Sequence, residues 1–138
     1  MKGPDPRKDP APVGEVPSLL RHGAVDFDAR RFWHAHESWE SAWHALRGAG
    51  DTEAAGYLRG MILVAAALEN ATRGKENGFK RQMAEGLYAL RTHPMGPARL
   101  RLTQAGAWED GLVLLYADAC RRLDWAVWNA VEWKVPIS

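Results

Sequence analysis

Phe32-Trp33-His34-Ala35-His36-Glu37-Ser38-Trp39-Glu40-Ser41-Ala42-Trp43-His44 is the stretch around which the chain is organised, because nowhere else do histidines, carboxylates and tryptophans crowd together at helical spacing. At about 100° per residue, Phe32, Trp39, Trp43 and Leu46 fall in one sector, which must bury against another element. A polar flank runs beside it. His36, Glu40 and His44 follow at i, i+4 and i+8, with Glu37 and Trp33 in the same arc, and side chains three and four apart on a helix touch. His34 points nearly the opposite way and is left out of any site on this face.

Two readings compete for the flank. In the functional one, imidazoles and carboxylates supply a small-ligand site, a divalent transition-metal site or a general acid/base pair, since neutral imidazole and carboxylate suit Zn, Mn or Fe. The acid/base candidates are His36, Glu37 and Glu40; the metal candidates are His36, Glu40, His44 and Glu69; Trp33, Trp39 and Trp43 are the expected walls. In the structural reading, a half-buried carboxylate beside a half-buried histidine satisfies polar groups at the edge of a core. Known motifs narrow the first reading. His36-Glu37-Ser38-Trp39-Glu40 begins like the zinc-protease HExxH signature but has Glu at the second histidine position. A ferritin-like di-iron centre needs Glu-x-x-His, whereas Glu37 and Glu40 form Glu-x-x-Glu and Glu40 and His44 form Glu-x-x-x-His.

The residues from Phe27 to Leu46, FDARRFWHAHESWESAWHAL, resemble the opening helix of the domain of unknown function family 309. The family's aromatic-x-x-His-Glu-x-x-Glu-x-x-Trp pattern falls on Phe32 or Trp33, His36, Glu37, Glu40 and Trp43. The resemblance continues through Tyr57–Leu68 to Arg73-Gly74, covering about residues 26–91. It implies a small all-helical domain with no assigned activity. The chain departs from the family pattern at Glu69-Asn70, where one or two histidines are expected, and at Lys75, where Asn is expected after the glycine. A site that includes those positions has altered chemistry here.

Length and composition bound the remainder. A chain of 138 residues supports one domain with a real core. Hydrophobic content of 46% and charged content of 25% are ordinary for a globular protein, while 7 Trp exceed what a core of this size needs. A net charge of +1 provides no basic field for nucleic acid, and no basic stripe with interleaved aromatics appears. The single cysteine, Cys120, excludes an internal disulfide. No apolar leader follows Met1, and the longest apolar run, Met61–Leu68, is far short of the ~20 residues of a membrane span. These features predict a cytoplasmic protein without nucleic-acid or membrane partners. Phosphate loops, Cys-x-x-Cys and nucleophile elbows are missing from the sequence, which removes the main nucleotide, redox and serine-hydrolase signatures.

In chain order, five of the eight prolines lie in residues 1–17, which predicts an extended tail before a domain over residues 18–138. A short turn from Ser18 to Arg21 is expected to break at His22-Gly23. Asp26 or Asp28 is the expected N-cap of the first long helix, which ends at Gly48-Ala49-Gly50. In its last turn the macrodipole favours a cation at His44, a structural explanation for that residue.

A second helix runs from Asp51 or Thr52 to Arg73. Its Glu69 falls on an apolar face, and either meets the His36 flank or pairs with Arg73 at i, i+4. The small residues Gly56, Gly60 and Ala65–Ala67 are expected opposite Trp39 and Trp43. A third helix spans about Asn77–Thr92, and His93 is expected in a loop without a partner. Residues 98–107 read as irregular or helical. A last helix runs from about Trp108 or Asp110 to Val131, with Trp125 and Trp128 on its far side. These two, with Trp133, form a candidate homodimer interface. The expected fold is therefore an all-α, single-domain antiparallel bundle of four to five helices. The alternative to a ligand site is a non-catalytic homodimerisation or interaction module in which the His/Glu cluster only fixes packing.

Overall fold

Six alanines, three leucines and a methionine make up nearly half of the 21-residue segment Thr52–Thr72, and the computed structural model, which describes residues 11–122 and residue 135, makes it one unbroken helix. In chain order the described elements are a 3-10 turn over Val13–Glu15, α1 Val16–Asp28, α2 Phe32–Gly48, α3 Thr52–Thr72, α4 Glu76–Arg91, α5 Gly96–Leu100 and α6 Ala105–Arg122, with no strand among the described residues. The fold is all-α. Asp51 caps α3 by accepting from the Ala54 N–H at 3.2 Å, and Gly74, at φ +69°, turns the chain out of it. A helix apolar nearly all round must be buried on several sides. Accordingly α2 packs on one side of α3 and α4 on another, both antiparallel to it through short links, so that α3 rather than α2 is the central helix.

Gly60 of α3 faces α4, and Gly56 faces His93 just beyond it. A Cβ on Gly60 would lie 2.8 Å from Leu90, and one on Gly56 would lie 2.1 Å from the ring of His93. His93 is therefore held, with Nδ1 also 2.7 Å from the Ala89 carbonyl oxygen, and the expectation of a partnerless loop residue is corrected.

Trp39 packs on α1. Its indole Nε1 donates to the Leu20 carbonyl at 3.2 Å, and a Cβ on Gly23 would lie 2.1 Å from that nitrogen. Gly23 thus serves close approach between helices, and α1 runs straight through the expected break at His22-Gly23. The helix also begins earlier than expected. Pro17 occupies its first turn, where a missing N–H costs nothing, so residues 13–17 are helical while residues 1–10 lie outside the described region.

Neither Asp26 nor Asp28 caps α2. The chain breaks at Ala29–Arg31, with Arg30 at φ 67°, and Asp26 accepts from Arg31 Nε at 2.8 Å. The break has a packing cause. Phe27 and Phe32, five positions apart, would diverge on a continuous helix; here they meet edge-on at 5.2 Å, and Phe27 also packs on Trp39 and Trp108. At the other end of the chain, α5 occupies part of the segment expected to be irregular or helical, and α6 starts at Ala105.

Candidate functional site

α2 presents its polar flank beside the last turns of α3. Trp33 and His36, three apart, stack with ring centroids 4.9 Å apart and planes 5° from parallel. Trp33 then walls a cleft of about 340 Å3 whose other lining residues are Ala66, Glu69, Asn70, Arg73 and Gln82. Because α2 and α3 run antiparallel, the start of one lies against the end of the other. This is why Glu69 comes to the same cleft as Trp33.

Of the two expectations for Glu69, the i, i+4 pair with Arg73 is present. Glu69 accepts from Arg73 Nε at 2.9 Å, four positions on, and it lines the cleft. Asn70 Nδ2 donates to Gln82 Oε1 at 2.5 Å, tying α3 to α4 across the cleft wall. The cleft therefore offers an indole, a carboxylate, a guanidinium and two amides.

His36 is half-buried, and its Nδ1 is buried without a hydrogen-bond partner among the described residues. No hydrogen bond links it to Glu40. Among the described residues the Glu37 and Glu40 carboxylates enter no hydrogen bond or ion pair, and no three His, Cys, Asp or Glu side chains gather as a metal-holding group. His44 meets Trp43 edge-on at 5.0 Å, and the Arg47 guanidinium lies 4.8 Å from the Trp43 ring centroid. Trp39, fully buried against α1, is a core residue and no wall of the cleft. Trp125, Trp128 and Trp133 lie outside the described residues.

A second polar cluster escaped the sequence reading. Tyr57 on α3 donates its hydroxyl to Glu109 Oε2 on α6 at 2.7 Å, in a buried position. The other oxygen of Glu109 faces Arg91 Nε of α4 at 3.3 Å, and Arg91 also donates to Asp110 at 2.8 Å. Burial first, then the hydrogen bond to and charge of Glu109, hold the Tyr57 hydroxyl far above the ordinary phenol range. The hydrogen bond to Asp110 raises Arg91 in turn. A signal for this cluster was present: Glu109 precedes Leu112 by three and Tyr116 by seven, which puts an acid on the inner face of α6.

The fold and its cleft define a small helical domain with a polar opening between antiparallel helices. The model of the family described as Domain of unknown function (DUF309) matches residues 20–91, more than half of the chain, and the protein belongs to that family. Neither a curated protein nor a solved structure matches the chain. Among the described residues no helix is long and apolar enough to cross a membrane.

Proposed function

We propose that the chain is a small-ligand-binding domain whose site is the cleft between the start of α2, the end of α3 and the facing turns of α4. One observation carries this reading: His36 keeps a buried ring nitrogen unpaired while stacked on Trp33, the cleft wall. An unpaired buried polar atom costs about 1–3 kcal/mol, and a structural His36–Glu40 pair would have removed that cost. The ligand suited to the lining is a small polar molecule with a flat face. Trp33 supplies a surface for stacking, Glu69 accepts, Arg73 donates, and Asn70 and Gln82 can do either. Glu69 and Asn70, where the chain departs from the family pattern, are then the residues that set its particular ligand. In a catalytic form of this reading His36 is the proton-transfer group, with Glu37 and Glu40 on the same flank.

The test is a screen of polar heteroaromatic fragments by two-dimensional NMR, following the Trp33 indole and the amides of residues 66–73. Hits are expected to shift those signals together, and to lose binding in a His36→Ala/Glu69→Gln variant that melts like the parent. Hits that map elsewhere, or that bind the variant unchanged, overturn the reading. Elemental analysis of untagged protein purified without chelator separates a metal-assisted form from a metal-free one.

Homodimerisation is a second reading, favoured by Tyr88 on α4 at 72% exposure and Leu114 on α6 at 71%. Under it, Tyr88→Lys/Leu114→Glu shifts the mass measured by light scattering from dimer to monomer, and His36→Ala does not.

A further inference from the structure

A second cleft is lined by residues from the start of α1, the end of α2 and α5. It encloses about 380 Å3, within the ~300–1,000 Å3 span of small-molecule sites. Its floor is apolar: Val16, Leu20, Leu46 and Leu100 line it while remaining only 4–7% exposed. Its rim is basic. Among the described residues, Arg21, Arg99 and Arg101 line it together with the carboxylate of Asp51.

That rim is assembled, since its arginines come from α1, from α5 and from the residue that follows α5. Arg99 donates Nε to Asp51 at 2.7 Å, and the same Asp51 oxygen caps α3, so this guanidinium is fixed to the central helix. The hydrogen bond from Arg99 holds the Asp51 carboxyl below its usual range, which keeps the pair ionised. Arg101 sits at φ 58° and ψ 42°, the left-handed exit of α5, where glycine is the ordinary residue and a side chain is strained.

We infer that this cleft binds a small amphipathic organic anion, a carboxylate or phosphate head carried on an apolar chain or ring. The head meets Arg21, Arg99 and Arg101, whose planar forks match either group. The apolar part lies on Val16, Leu20, Leu46 and Leu100, which gain contact that the arginines alone cannot provide. None of these residues lines the Trp33 cleft, so the two sites stand or fall separately.

Calorimetric titration of the full chain with octanoate and with octyl phosphate, both below micelle formation, tests the inference. One-to-one saturable binding is expected, at least about tenfold tighter than that of 1-octanol or inorganic phosphate and weakened by added salt. Arg21→Ala/Arg101→Gly is expected to weaken binding about tenfold or more with the melting temperature kept or raised. Val13→Glu provides a second check, since Val13 lines the cleft at 52% exposure and can be changed without disturbing the core. Its added charge should also weaken both anions. Equal affinity for 1-octanol, unchanged binding in either variant, or no saturable binding overturns the inference. So does association with phosphatidylglycerol vesicles without binding of the monomeric anions, which would indicate a membrane surface.

Discussion

The Tyr57–Glu109–Arg91–Asp110 cluster and the Trp33–His36–Glu69 cluster are built from similar side chains, yet they stand in opposite states. In the first, the phenol and the carboxylate are buried, the hydroxyl has its acceptor, and both carboxylate oxygens have a partner. In the second, Trp33 is 50% exposed, Glu69 shares its charge with a solvated arginine, and the buried nitrogen of His36 is unpaired. The difference separates two uses of polar groups in a small domain. Pairing buried groups across α3, α4 and α6 sets how those helices dock, because an unpaired member would be penalised heavily. Leaving one unpaired beside an open cleft preserves a place for something else to bind.

Four measurements sharpen or break that comparison. The largest effect is expected at the tryptophan between the helices. Trp39→Ala removes a fully buried indole packed on Gly23 and Phe27 and should cost about 3–5 kcal/mol in urea unfolding, whereas Trp33→Ala should cost under ~1. Equal losses would show that Trp33 is core as well. Next, Glu109→Ala strands the buried Tyr57 hydroxyl and should cost about 2–3 kcal/mol. A change below ~0.5 kcal/mol would remove the cluster's docking role.

The third measurement is a pH series. Folding raises Tyr57 above its ordinary value of 10.0, so the folded state favours the neutral phenol. The stability linked to this group is complete below pH 10 and declines as the pH rises beyond it, because the unfolded chain releases the proton first. Tyr57→Phe should cost about 1–2 kcal/mol at neutral pH and flatten this alkaline decline. A decline identical to the parent's would assign it to other groups.

The smallest effect is expected from His36→Ala, within ~0.5 kcal/mol of the parent, since the side chain carries an unpaired buried atom. A loss above ~1.5 kcal/mol would mean that the stack on Trp33 is structural.

Much of the helical layout was legible because each helix announces its own ends. Asp51 before Thr52 and Gly74 after Arg73 bracket α3 within a residue of the expected limits, and α4 begins one residue before its expected start. The misreadings share a cause. Gly23 reads as a breaker, Pro17 as a tail residue and Asp26 as a cap because each type usually plays that part locally. Here Gly23 makes room for an indole sixteen positions away, Pro17 fits the first turn, and Asp26 pairs with Arg31.

The candidate site was legible in part for the same reason. One helix wheel brings Trp33 and His36 together because three positions on a helix are neighbours whatever surrounds them. It cannot show that His36 and Glu40 form no bond, that Trp39 turns to α1, or that Asn70 and Gln82 complete the cleft. Those outcomes depend on which helix lies opposite.

Periodicity, caps and the aromatic-His-Glu pattern in the sequence alone determined an all-α chain, the limits of α3 and α4, the family resemblance and the choice of α2 as the place to look. Tertiary structure decided the rest: α3 as the centre, the sealed Tyr57–Glu109 contact across 52 positions, the buried, unpaired nitrogen of His36, and three arginines over one apolar floor. Local hydrogen bonding and side-chain spacing act within a few residues and are written in order along the chain. Burial and pairing between helices are settled only when distant faces meet and compete for the same interior.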